Sequence, residues 1–193
     1  MKRKLSQLIF VFLCMIMMFP IGVSGDTGPK PSVTIKFKNM GDELCYGTLL
    51  AKEESTGPAR VWNGSEEDIN LNFVDRDIWE AFVNYEDSDG FYFLQWAWLV
   101  SDTKELSWGY YPPNEFKVLL YYPETNTFVV SDICKRYAFD TYYTVDMDGV
   151  DIGSIKYDES LSGNQRLDMY KSYEFKNEVK ALVCRMLITV VIE

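Results

Sequence analysis

The chain has 193 residues, about one domain's length, with 19 Lys and Arg against 29 Asp and Glu and a net charge of −10. Such an acidic chain makes a poor electrostatic partner for nucleic acid or an anionic membrane surface. With no histidine at all, Ser-His, Cys-His and His-metal chemistry are excluded. Apolar residues make up 47% and aromatic residues 16%, enough for a packed core and against global disorder.

The N-terminus reads as an export signal covering residues 1–25. A basic start (MKRK) precedes twelve unbroken apolar residues at 8–19 (LIFVFLCMIMMF), and Pro20 and Gly22 then break the helix. Val23-Ser24-Gly25 offers small residues for cleavage before Asp26. The rival reading is an uncleaved anchor, but the apolar run falls short of the roughly 20 residues that a span needs. Cys14 lies inside the run and not at a lipoprotein position. Removing Lys2, Arg3 and Lys4 with the signal leaves 16 basic and 29 acidic groups. Cys45 and Cys134 are then the only cysteine pair inside the exported domain. In an oxidising compartment they can form a disulfide, and the alternative is two buried thiols.

The body of the chain, residues 26–158, reads mainly as strands. Residues 33–38 alternate, with Val33, Ile35 and Phe37 on one face and Thr34, Lys36 and Lys38 on the other. A second strand is expected at 44–50. A polar insertion at 52–72 follows, with Gly57-Pro58 and Asn63-Gly64 as turn signals. Residues 75–83 form a short helix that Asp75 can cap, with Ile78, Trp79, Phe82 and Val83 on its apolar face. The run 91–100 (FYFLQWAWLV) is apolar on both faces, as a central strand would be. Residues 108–111 suggest an edge strand closed by Pro112-Pro113. Segments 116–122 and 127–131 flank a turn and make a hairpin. Tyr137, Phe139, Tyr143 and Val145 continue the period of two, and 152–157 is a weaker last strand. Some seven short strands with frequent turns predict a mainly β fold, an antiparallel β-sandwich of the Ig or fibronectin-like kind, with the short helix packed across one end.

Residues 159–173 are expected to be a polar linker, and 174–193 an apolar C-terminal helix. From Leu182 to Ile192 the apolar residues cover nearly its whole circumference, as in a helix that is deeply buried or in lipid. The uncharged stretch after Arg185 is only seven residues, with Thr189 inside it. The segment is therefore either a docked helix or the start of a membrane anchor.

Chemistry is harder to find. Glu86, Asp87 and Asp89 cluster before Gly90, and Asp146, Asp148 and Asp151 cluster around Gly149. Neither cluster has the spacing of an EF-hand. A looser calcium site would use Asp87 and Asp89, and solvated acidic turns are the plainer reading. No GxSxG or P-loop pattern occurs, so no cofactor is expected, and nothing selects a glycosidase-like carboxylate pair from the 29 acids. Among the aromatics, Trp96 and Trp98 share a face with Leu94 and Val100 and belong in the core. Trp108, Tyr110 and Tyr111 form the more exposed set, a platform for a sugar or peptide.

The segments FYFLQWAWLVSDTKELSWGYYPPNEFKVLLYYPETNTFVVSD and RMLITVVIE resemble small exported membrane proteins of gut clostridia and other Firmicutes. The resemblance implies a signal peptide, a β-rich outer domain and a C-terminal transmembrane helix. It implies no activity and no catalytic residues. The expectation is thus a non-enzymatic, exported domain at the cell membrane, tethered to the lipid bilayer by its C-terminal helix. Its partner would be a protein or glycan of the envelope, and nucleic acid is not expected. The alternatives are a secreted carboxylate-dependent hydrolase and a calcium-stabilised adhesion module.

Overall fold

The computed structural model describes residues 30–150, 152, 166–172 and 175–192. The expected signal peptide, and all of the expected strand at 152–157 except residue 152, lie outside them. Strands are β1 (Ser32–Lys38), β2 (Tyr46–Ala51), β3 (Ser55–Thr56), β4 (Ala59–Arg60), β5 (Tyr92–Phe93), β6 (Trp98–Leu99) and β7 (Glu105–Trp108). They continue with β8 (Glu115–Tyr122), β9 (Thr127–Ser131), β10 (Cys134–Lys135), β11 (Asp140–Asp146), β12 (Arg166–Leu167) and β13 (Met169–Lys171). The helices are α1 (Arg76–Val83) and α2 (Phe175–Ile192), and a 3-10 turn spans Glu66–Asp68. The fold is mainly β, as its turn-punctuated alternation predicts.

One sheet has the order β13-β11-β1-β7, a second runs β12-β9-β8-β2-β5, with β6 also on β2 and β10 also on β8, and β3 and β4 pair as a separate hairpin. Most pairings are antiparallel. Two among the described residues are parallel: β1 with β11 over Ser32↔Asp140 to Lys38↔Asp146, and β12 with β9. One core lies between the two sheets, where Val33, Ile35, Leu106, Trp108 and Val145 of the first meet Leu49, Phe116, Val118 and Leu120 of the second. Val33 and Ile35 are wholly buried, as their alternation requires.

A second core explains α1. Leu50, Leu119 and Tyr121 point from the other face of the second sheet, and Ile78, Trp79 and Phe82 of α1 cover them. Phe82 stacks on Phe93 at 5.3 Å between ring centroids and meets Tyr121 edge-on at 5.9 Å. The helix therefore lies on the outer face of a sheet and not across one end. A sheet with apolar residues on both faces must be covered on both. Asp75 is the N-cap, as expected, but its side chain makes no capping bond.

Two further expectations are corrected. The run 91–100 is not one strand, because Gln95 adopts φ 63° and breaks it into β5 and β6, both paired with β2. Residues 166–171, expected in a linker, supply strands to both sheets, and Leu167 is buried in the core. α2 touches the body where Arg185 reaches Asp140 at 3.2 Å and its guanidinium covers the Phe139 ring at 4.2 Å. Its Leu182, Val183, Met186 and Leu187 are exposed. Among the described residues no helix is long and apolar enough to cross a membrane.

Candidate functional site

The interruption at Gln95 builds a site. Residues 94–97 leave the line of β2, and the Thr48 hydroxyl donates to the Trp96 carbonyl to hold them there. Opposite stands the β3–β4 hairpin. Gly57 takes φ 57° at its first turn position, as a type II′ turn requires, and Pro58 follows with its preset φ. Between them lies a cleft of about 390 Å³ lined by Ser55, Gly57, Arg60, Asp68, Asn70, Leu94, Gln95 and Trp96, among others. That is the size of a small-ligand cleft, about 300–1,000 Å³.

The cleft wall is polar and internally neutralised. Arg60 pairs with Asp68, whose second oxygen accepts a 2.6 Å hydrogen bond from the Asn63 amide. Gln95 is 6% exposed. Its Nε2 donates to the Arg60 carbonyl at 3.1 Å, while its Oε1 is buried with no hydrogen-bond partner. A buried acceptor without a donor is costly, and so is a left-handed glutamine. The Trp96 ring backs the cleft and packs on Trp108 at 5.2 Å, which in turn meets Trp98 at 5.4 Å.

The expected aromatic platform divides here. Trp108 is wholly buried, its indole N–H donating to the Tyr110 carbonyl at 3.0 Å, so its ring meets no ligand and instead holds the backbone of its neighbours. It ends β7, where the period-two alternation turns its side chain inward. Tyr110 and Tyr111 are exposed and packed edge to face at 4.8 Å, with the Lys30 ammonium 5.6 Å from each ring. Both lie against Gly57, so the tyrosine pair and the cleft share one rim. Trp96, expected in the core, is only partly buried and lines that cleft. Periodicity does not point to Gln95; its signal in the sequence is the single amide within FYFLQWAWLV.

Asp87 and Asp89 are brought together elsewhere, on the turn that joins α1 to β5. What they gather is the Lys117 ammonium, 2.6 Å from each carboxylate. Among the described residues no three His, Cys, Asp or Glu side chains converge as a metal set. Lys117 carried a signal too, as one cation inside the apolar strand EFKVLLYY.

Cys45 and Cys134 do not form a disulfide; both are buried thiols. Cys45 precedes Tyr46, which faces Tyr121, whereas Cys134 faces Phe116. They therefore sit near opposite ends of β8, about 17–20 Å apart at the rise of a strand, far beyond the roughly 7 Å that a disulfide tolerates. Burial pushes the Cys45 thiol up to about 12 and Cys134 to about 11, so neither is poised as a nucleophile. No protein-family model, curated protein or solved structure matches the chain.

Proposed function

We propose that this chain is a non-enzymatic, exported binding domain at the extracytoplasmic face of the cell membrane, and that its cleft takes a glycan of the envelope. The observation that carries the reading is the cleft at Gln95. It combines a partly exposed indole with planar amide and guanidinium groups on left-handed backbone at Gln95, whose buried Oε1 has no donor within the protein. Sugars need this mixture, since their hydroxyls both donate and accept while their C–H faces lie on aromatic rings. A hydroxyl donated to Gln95 would relieve the lone acceptor. The neutralised Arg60–Asp68 pair favours an uncharged or weakly charged ring. Tyr110 and Tyr111 extend the contact along the rim to a second sugar unit.

The remainder of the reading rests on sequence. The leader at 1–25 is a signal peptide, and α2 is the segment through which the domain meets the bilayer, supported by the exposure of Leu182, Val183, Met186 and Leu187. In fold terms we read the two sheets around one core as an Ig or fibronectin-like sandwich, with α1 added on its outer face.

The test is tryptophan fluorescence and calorimetric titration with muropeptides and neutral oligosaccharides. Wild-type protein is expected to bind at least one of them. Trp96→Ala and Gln95→Ala should weaken that binding by roughly tenfold or more, the worth of one well-made polar contact of about 1.4 kcal/mol. Equal affinity in all three proteins, or no binding of any sugar, overturns the reading.

A further inference from the structure

Lys117 is 4% exposed, and its side chain enters the outer face of the second sheet beside Leu119 and Tyr121. Two carboxylates meet its nitrogen there. Asp87 Oδ1 lies 2.6 Å away on a side chain that is 2% exposed, and Asp89 Oδ2 lies 2.6 Å away on one that is 52% exposed. The other Asp87 oxygen, Oδ2, accepts the backbone N–H groups of Asp89 at 3.0 Å and Phe91 at 3.2 Å. The Phe91 ring covers the nitrogen at 5.3 Å and is itself buried. A turn closed by Gly90 N–H to the Asp87 carbonyl at 3.0 Å, with Gly90 at φ 73°, fixes these donors.

We propose that this is a self-modifying site, at which Lys117 Nζ and Asp87 Cγ condense to an intramolecular isopeptide bond. A plain buried ion pair needs one carboxylate and no particular donors on its far oxygen. Here each component of an acyl transfer has its own group. Within the ion pair the ammonium gives one proton to Asp87 Oδ1 across the 2.6 Å contact, leaving an amine beside a carboxylic acid. The amine attacks Cγ, and the negative charge collects on Oδ2, where two backbone N–H groups already point. Asp89 then takes a proton from the nitrogen and passes it to Oδ1. The Cγ–Oδ1 bond breaks, water leaves, and the amide remains. The nitrogen has lost two protons and the departing oxygen has gained both, so Asp89 ends as it began and no oxidant or other co-reactant is consumed. Contact at 2.6 Å in a dry site supplies the proximity. The partial exposure of Asp89 gives the released water a way out.

The bond would tie residues that are 30 apart in sequence, fastening the α1–β5 turn to the central strand β8. The site is separate from the Gln95 cleft, so the two readings stand or fall independently.

Peptide mapping of the unfolded full chain decides the matter. Trypsin should fail to cut after Lys117 and should release segments 77–104 and 105–135 as one branched species, lighter than their sum by one water. Lys117→Arg should show none of it. Asp89→Asn should keep its fold by circular dichroism while the linked fraction falls at least tenfold. Loss of the link should lower the melting temperature by several degrees, as removal of other long-loop cross-links does. Free 77–104 and normal cleavage after Lys117 in the wild type overturn the proposal. A link that fragments to Asp89 overturns the choice of acceptor, and an undiminished link in Asp89→Asn overturns the proton transfer.

Discussion

Cys45 and Cys134 show how an environment decides what a residue type means. Either could have been half of a bridge, but packing places them at opposite ends of β8, and burial keeps their protons on. Both thiols titrate above their ordinary value of 9.0, Cys45 at about 12 and Cys134 at about 11. The neighbouring Tyr122 hydroxyl is raised by burial as well. The sign follows from linkage: the folded chain keeps protons that the unfolded chain releases. Their contribution is intact below pH 9 and is lost as pH climbs from 9 towards 12. Melting temperature should therefore fall from pH 8 to pH 11, and Cys45→Ala should flatten that fall at a cost of about 1 kcal/mol at neutral pH. A thiol reagent should find the exposed Cys184 in the folded protein, and Cys45 and Cys134 only after unfolding.

At the scale of elements, sequence periodicity was reliable where one face of a strand is buried and the other is not. β1, β9 and α1 are read nearly to the residue, because Val33, Ile35 and Phe37 or Ile78, Trp79 and Phe82 repeat at the period of the structure they adopt, whereas β8, buried on both faces, is read from the hairpin turn that follows it. Periodicity failed over 91–100, where both faces are apolar and nothing in the pattern marks the turn of backbone at Gln95. It failed again at 166–171, where two short strands owe their existence to the open edges of β9 and β11 and not to their own composition. The candidate cleft was legible only in part. Its aromatic rim at Tyr110 and Tyr111 was visible, while its floor depended on a left-handed glutamine that no propensity foretells. The β3–β4 hairpin offers a check on that geometry. A Cβ at position 57 would stand 3.0 Å from the Tyr111 Cβ and 3.3 Å from Tyr110 Cδ1, on backbone at φ +57°. Gly57→Ala should therefore cost about 1 kcal/mol in denaturant unfolding and shift the tyrosine pair, weakening any ligand that uses the rim.

For the whole molecule, the two sheets are joined by a late segment. Leu167 is 1% exposed and lies in the core between the sheets, so Leu167→Ala should cost about 2–5 kcal/mol, read from urea unfolding. Limited proteolysis of the native protein should leave 166–171 uncut, since both strands there are hydrogen-bonded into sheets. Cleavage at that place would mean that the segment is the linker its polar composition suggested.

The parallel pairing of β1 with β11 also fixes the order of events in time. β1 emerges early, and β7 can close one side of it once residue 108 is made. Its other side waits for Asp140–Asp146, and the Ser32 hydroxyl that bonds the Asp140 carboxylate at 2.8 Å joins residues 108 apart. A chain threaded N-terminus first would thus carry a half-paired strand ahead of it until residues 140–146 had arrived. Such long-range closure folds slowly and keeps the chain extended. What the topology costs in folding speed would suit the export proposed above, in which a chain passes a narrow channel before it takes a shape.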